Sequence, residues 1–317
     1  MNKKSINSVN KEFKNIHKFY PLSIRPDRLK NYLYVIIRAV LIIGICYIII
    51  FPLLVKLSSA LMSLTDFYDQ TVMWIPRSPN LNNFTRAFRD MEYPVAFVNS
   101  LLLASLVGFL QMISCTVVGY GLARFKFRGQ SIIFTAVILT LVIPPQMIMI
   151  PLYLNFRYFT FFGLLPGEGI NLLNSFWPFV FTSLTAVGMK NGLFIYIMRQ
   201  FFRNMPRQLE EAAYIDGASP ITAFLRVMLP GAIPALVIVF LFSFVWQWND
   251  YFYTNIFMSG NTVLPMTLAS LRRIIEGPQT TAVINAGSLM FVAPLLLLYA
   301  LLQRYFVESI NRTGLVG

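Results

Sequence analysis

Long runs of apolar residues, divided by shorter polar stretches, dominate the pattern of this 317-residue chain. Six of these runs are long enough to form helices across about 30 Å of hydrocarbon. They lie near residues 32–55, 95–122, 131–155, 175–202, 230–252 and 283–305. The pattern therefore predicts an all-α integral membrane protein with a six-helix transmembrane domain at 32–306. Residues 1–31 are predicted to be a basic N-terminal arm, and residues 307–317 a short tail.

Two of the six runs contain residues that interrupt a helix. The third includes VIPPQMIMIPLY, where Pro144, Pro145 and Pro151 remove backbone donors and predict a kink. The fourth is interrupted by GMKNG at 188–192, and neither half is long enough to cross alone. Such breaks require protein or water to bond the freed carbonyls. Lys190 lies at the middle of the fourth run, which indicates a cavity or pathway residue unless its side chain extends to the outer headgroups.

The polar stretch EEAAYIDGASPITAFLRVMLP, between the fourth and fifth runs, predicts a helix–turn–helix within residues 203–230. A first helix is predicted over 206–215, and Gly217 can adopt the left-handed conformation that ends it. Ser219 and Pro220 then supply a side-chain cap and the first position of a second helix. The stretch therefore has the chemistry of an ordered element rather than a flexible linker.

The first of these two helices carries an acid beside small side chains. Leu209, Ala212 and Ala213 are spaced to lie on one side, and Glu211 is predicted to be exposed. Small residues allow another protein to approach closely, and an acid gives that contact a charged partner. The alternative is a surface helix that contacts only water.

Composition supports a membrane protein and excludes several kinds of site. Hydrophobic residues make up 56% of the chain and charged residues 12%, against about 45–50% and 25% in soluble domains. Two cysteines and one histidine exclude a disulfide framework, a multi-histidine metal site and a histidine-based catalytic triad. The sequence has no GxxxxGK(S/T) motif, so any nucleotide that powers this protein must bind to another chain.

The net charge of +13 is distributed unevenly between the polar segments. Seventeen lysines and arginines lie in the N-terminal arm, in the loops after the second and fourth runs, and in the tail, against seven in the other loops. The positive-inside rule places both termini and the predicted helix–turn–helix in the cytoplasm. The charge thus indicates membrane topology rather than nucleic-acid binding. The arm fits either an amphipathic helix on anionic lipid or a disordered segment.

The motifs of this chain resemble those of ATP-binding-cassette importer permeases of the carbohydrate subfamily. Residues 211–218 read EAAYIDGA and are followed by Leu229 and Pro230, as in the EAA loop of that family. The segments MRQFFRNMP, IPPQMIMIPLY, WQWNDYF, LPMTLASLR and TGLVG are similar to the second permease of maltose-type systems. The resemblance covers roughly residues 95–317 and implies a type I importer permease fold.

The resemblance also implies partners and residue roles. A second homologous permease would complete a heterodimer, and an extracytoplasmic solute-binding protein would contact the loop at 253–282. A cytoplasmic ATPase dimer would bind ATP and magnesium, which leaves this chain without a cofactor, metal ion or catalytic residue. Glu211 would pair with a basic residue of the ATPase, and Gly217 would make the turn. The residues implied in ATPase coupling are Glu211, Ala212, Ala213, Asp216 and Gly217.

Candidate substrate contacts lie at the two breaks and at the end of the fifth run. A sugar requires aromatic rings with amides or carboxylates around them, and we interpret Trp246, Asn249 and Gln146 in this way. Lys190 joins these substrate-pathway candidates as the charged residue at the fourth-run break. An interfacial aromatic belt is the alternative for the tryptophan. A permease for a glycerol phosphodiester or a polyamine is an alternative function. An ion-coupled transporter is another, for which Asp250 is the one acid near a run.

Overall fold

Helices and turns make up the described part of this chain. The computed structural model describes residues 26–69, 71–161, 163, 164, 167, 169–260, 262–277 and 279–313. Apart from an isolated antiparallel bridge between Phe159 and Ile170, its regular elements there are helical. The all-α prediction is confirmed. Most of the predicted N-terminal arm and the end of the tail lie outside the described residues, and the division into arm, domain and tail stays a prediction.

The helices follow the six apolar runs, with additional short helices between them. The first half of the chain has α1 (Pro26–Leu61), α2 (Leu64–Tyr68), α3 (Asn82–Asp90), α4 (Tyr93–Arg124), α5 (Gln130–Val142), α6 (Pro145–Arg157), α7 (Trp177–Leu184) and α8 (Asn191–Asn204). The second half has α9 (Gln208–Ile215), α10 (Pro220–Ala223), a π-helical turn (Phe224–Met228), α11 (Leu229–Gly231), α12 (Ile233–Asn249), α13 (Phe252–Phe257), α14 (Leu264–Ile274) and α15 (Thr280–Thr313).

Three helices of the described chain are long and apolar enough to cross a membrane. They are Lys30–Leu61 of α1, all of α4, and Thr280–Leu301 of α15. Counting each of two bent pairs as one span raises the number to five. One pair is α5 with α6, bent by 104°, and the other joins the segment Pro220–Gly231 to α12 at 76°. The third run is thus bent far more sharply than the kink predicted from its prolines.

Contacts divide the chain into two units, residues 1–55 and residues 56–317. In the first unit, the most apolar window of α1 has no buried side chain. A helix that is apolar on all sides and exposes its side chains fits a hydrocarbon environment.

In the second unit, α4 is the central helix. Three clusters of buried side chains form this unit's core, one around Trp248, one around Phe194 and one around Phe257. Helix α4 contributes to all three, with Ala104, Val107 and Cys115 as examples. Any displacement of α4 therefore disturbs the whole core of residues 56–317.

Candidate functional site: coupling loop and cavity

The turn between α9 and α10 is a Schellman motif. Gly217 has φ +82°, and its N–H donates to the Tyr214 carbonyl at 3.1 Å. The next N–H, from Ala218, donates to the Ala213 carbonyl at 2.9 Å. These two bonds satisfy carbonyls that the helix end leaves free. The predicted left-handed turn at Gly217 is confirmed.

The second helix begins at the predicted cap. The Ser219 hydroxyl accepts from the Thr222 N–H at 3.2 Å, and Pro220 occupies the first helical position. Helix α9 begins at Gln208 rather than at residue 206. Because both helix ends are stabilised by local bonds, the loop has a defined shape that it can present to a partner.

The side chains of α9 face two ways. Glu211, Ala212 and Asp216 are exposed, whereas Ala213 is only 8% exposed. The predicted alanine surface is therefore divided, with Ala212 facing outward and Ala213 packed inside. Ile215 is 86% exposed in the same loop.

Glu210 is a functional candidate that the sequence interpretation missed. It is 7% exposed, and its Oε1 atom accepts hydrogen bonds from the Tyr120 hydroxyl and, at 3.3 Å, from the Tyr214 hydroxyl. Its Oε2 atom lies 3.5 Å from Arg124 Nε. Burial and then the Glu210 carboxylate raise the pKa of the Tyr214 hydroxyl further above neutral pH. Nothing in the sequence EEAA distinguishes the buried acid from the exposed one.

Substituting Gly217 tests the turn alone. An added Cβ at Gly217 would meet no atom within 4 Å, so the cost of a side chain is conformational. We expect Gly217→Val to lower the free energy of unfolding by about 1–2 kcal/mol, the cost of left-handed backbone for an L-residue. Gly217→Asn should lose less, because asparagine tolerates this conformation. Thermal unfolding in detergent measures both, and equal stability of glycine and valine would contradict a required left-handed turn.

The break in the fourth run is bonded by side chains of α4. Gln111 Nε2 donates to the Met189 carbonyl at 3.1 Å, and Ser114 Oγ donates to the Ser183 carbonyl at 2.6 Å. Cys115 Sγ lies 3.8 Å from the Asn191 carbonyl. At this break, protein side chains rather than water therefore bond the Met189 and Ser183 carbonyls.

A cavity of about 730 Å³ lies beside this break, between it and helices α5 and α6. This volume is within the range of small-molecule sites. Most of its lining is apolar, and Lys190 is the one charged residue among the described residues that line it. Its polar lining residues are Thr140, Asn155, Lys190, Asn191 and Tyr253.

Two of the four predicted pathway residues lie together. Lys190, which has φ +63°, places Nζ 5.7 Å from the centre of the Trp246 ring, within cation–π range. Of the four, Lys190 alone lines the cavity, whereas Trp246 lies outside the lining together with the exposed Gln146 and Asn249. Asn249 Nδ2 donates to the Val245 carbonyl at 2.7 Å. Asn155 also lines the cavity, and the sequence interpretation did not include it. A polar residue within an apolar run indicates a functional position, and this signal could have identified it.

Asp250, on which an ion-coupled mechanism would depend, accepts hydrogen bonds from the first turn of α13. It is 7% exposed, and Oδ2 accepts from the N–H and hydroxyl of Thr254 at 2.9 and 3.0 Å. Oδ1 accepts from the Tyr253 N–H at 3.3 Å. These bonds stabilise the first turn of α13. They explain the buried acid by a structural role.

Known proteins similar to this chain are transport permeases. The arabinooligosaccharide permease AraQ of Halalkalibacterium halodurans is 27% identical over 86% of this chain and 93% of its own length. The maltodextrin permease MdxG of Bacillus subtilis is 29% identical over 85% of this chain and 92% of its own length.

A solved bacterial ABC transporter that imports the acidic polysaccharide alginate has the same fold. It matches with a TM-score of 0.70 at 21% identity, over 90% of this chain and 100% of its own. The prediction of a type I importer permease fold is confirmed. Residues 116–312 match the family model described as the inner membrane component of binding-protein-dependent transport systems. This chain therefore belongs to that family and is a membrane-embedded permease subunit of a transport system rather than an enzyme.

Proposed function

We propose that this permease imports an oligosaccharide or related glycoside in an ATP-driven, binding-protein-dependent system. The observation that carries the proposal is the near full-length similarity to permeases named for arabinooligosaccharides and maltodextrins. A third relative, from Bacillus subtilis, is named for melibiose, raffinose and stachyose and aligns over 84% of this chain. Relatives with different sugars thus share one permease architecture.

The exposed side of α9 is the proposed docking surface for a cytoplasmic ATPase dimer. Glu211 would pair with a basic group of the ATPase, while Ala212 allows close approach and Asp216 ends the helix. Ala213 and Gly217 would contribute through the shape of the loop, since one is buried and the other forms the turn. The ATPase would bind ATP and magnesium, and both termini of this chain would lie in the cytoplasm.

The cavity beside the fourth-run break is the proposed substrate pathway in this subunit. Lys190 would contact the sugar as a cation within the cavity, and Trp246, Gln146 and Asn249 would contact it only outside the cavity lining. A second, homologous permease would complete the path as a heterodimer. A solute-binding protein would deliver the sugar to the outer segment at 253–282.

An anionic glycoside or a glycerol phosphodiester is the second candidate substrate. Lys190 supplies positive charge to the cavity, and no acid is among the described lining residues. Such a lining attracts an anion and repels a polyamine. A relative from Agrobacterium fabrum, named for sulfoquinovosyl glycerol, is 25% identical over 84% of this chain.

Binding-protein-dependent ATP hydrolysis tests the proposed substrate class. The tagged chain, purified with its native subunits and placed in nanodiscs, would receive the binding protein loaded with maltodextrin, arabinooligosaccharide, raffinose, glycerophosphodiester or spermidine. We expect one of the sugars to stimulate ATP hydrolysis several-fold. Stimulation by spermidine alone, or substrate uptake driven by an ion gradient without ATP, would contradict the proposal.

A further inference from the structure

Adjacent acids on α9 face opposite ways. Glu211 is exposed, whereas Glu210 is buried against the last turn of α4. Successive residues of a helix do not share a face, so the two carboxylates cannot do the same work. The proposed ATPase contact accounts for Glu211 and leaves Glu210 unexplained.

Two partners of Glu210 lie on one face of α4, and a third, Tyr214, lies on α9 itself. Tyr120 and Arg124 are four residues apart, and both contact the carboxylate. Arg124 Nη2 also donates to the Met205 carbonyl at 2.8 Å, at the end of α8 that leads into α9. Arg124 is therefore bonded on both sides of the start of α9.

Aromatic packing extends the same contact to the far side of the loop. The Tyr120 ring centre lies 4.5 Å from that of Phe224, which follows α10, and 5.3 Å from that of Phe202 in α8. One turn of α4 thus contacts residues before, within and after the helix–turn–helix. These contacts combine a buried ion pair, hydrogen bonds and ring packing, which together fix one relative position.

We propose that Glu210 is a positioning residue that ties α9 to α4, so that the two helices move as one rigid body when the ATPase displaces the loop. This proposal rests on the proposed function for the source of the motion. Further along α4, Gln111 and Ser114 bond the carbonyls of Met189 and Ser183 at the fourth-run break. Met189 also lines the cavity. A displacement of α9 would reach the cavity wall through α4.

Spin-label distances test the rigid-body prediction. Labels at Ile215→Cys and Leu102→Cys, both exposed positions, report the distance from the loop to a point on α4 about 27 Å along the axis from Tyr120. The background carries Cys46→Ser, because Cys46 is exposed and Cys115 is buried. The full complex is measured without nucleotide and after trapping with MgATP and vanadate.

We expect the wild-type distance to stay the same in both states. In Glu210→Ala the distance distribution should broaden without nucleotide. On trapping, its mean should shift by about 1–5 Å, between a small helix shift and a one-turn displacement. Glu210→Gln should lie between them, because its amide oxygen still accepts from Tyr120 and Tyr214. Lys126→Ala, which removes an exposed charge two residues beyond α4, is the control and should behave as wild type in this distance.

Basal ATP hydrolysis separates this role from a merely structural one. Glu210→Ala should retain ATP hydrolysis while the label distance changes. A general loss of fold would abolish ATP hydrolysis and leave no defined label distance. If Glu210→Ala fails to assemble, Tyr120→Phe provides the test, since it removes one hydrogen bond and keeps the ring. A distance distribution as narrow as in the wild type, with an unchanged mean, in assembled Glu210→Ala or Tyr120→Phe would overturn the proposal. Absence of an ATPase from the wild-type complex would instead contradict the proposed function. The widths of the distance distributions without nucleotide would still show whether Glu210 holds α9 against α4.

Discussion

Glu211→Lys is expected to abolish ATP-dependent uptake while leaving the permease inserted and folded. The Glu211 side chain is exposed on α9, and the ion pair found on this helix involves Glu210 instead. Interfacial charge pairs at a protein interface contribute about 1.5–7 kcal/mol, and a lysine turns attraction into repulsion. ATPase affinity should therefore fall by more than about tenfold. Co-purification of the ATPase and uptake into vesicles measure the two effects.

The control for this prediction is Glu211→Gln, which removes the charge without reversing it. It should weaken ATPase binding less than lysine does. The melting temperature of the isolated permease should stay at the wild-type value in both variants, because no packed side chain changes. Wild-type uptake by Glu211→Lys would show that the ATPase does not dock on this carboxylate.

Gly119→Ala is expected to destabilise the permease, against the usual preference for alanine in helices. A Cβ at position 119 would lie 2.6 Å from Met198 Cβ and 3.0 Å from the Arg199 backbone nitrogen. Met198 is fully buried, and Arg199 Nε donates to the Leu122 carbonyl at 3.2 Å, so neither can retreat easily. Overpacking of this kind costs about 1–3 kcal/mol. Thermal unfolding in detergent should show a lower melting temperature.

The chain supplies a matched control two residues further along α4. A Cβ at Gly121 would come no closer than 4.0 Å, to Phe125 Cδ2. Gly121→Ala should therefore gain up to about 1 kcal/mol from helix propensity. A melting temperature that rises equally in both variants would show that α4 and α8 are not in close contact at this position.

Local backbone chemistry made the helix–turn–helix predictable. Glycine in a left-handed turn, serine as a cap and proline at a first helical position each act on their immediate neighbours, and Gly217, Ser219 and Pro220 all occupy those places. No long-range contact is needed for these features. For the same reason GMKNG correctly indicated a break in the fourth run.

Features that depend on packing between distant segments were not predictable. Tyr120 and Glu210 are 90 residues apart, and the direction of each acid depends on how α9 is rotated against α4. The prolines of the third run predicted a kink, but they only remove hydrogen bonds and do not set the 104° angle. Gln146 and Asn249 were predicted from residue type, and their position relative to the cavity depends on that angle and on helix rotation.

The opposite orientations of Glu210 and Glu211 have a consequence for how such permeases diversify. Under the proposed docking, outward residues of α9 such as Glu211 can change whenever the chain acquires a different ATPase, because they are exposed. The inward side lacks that freedom, since Glu210 requires compensating changes at Tyr120 and Arg124. A chimera that receives a foreign loop must therefore also receive the last turn of α4 from the same donor.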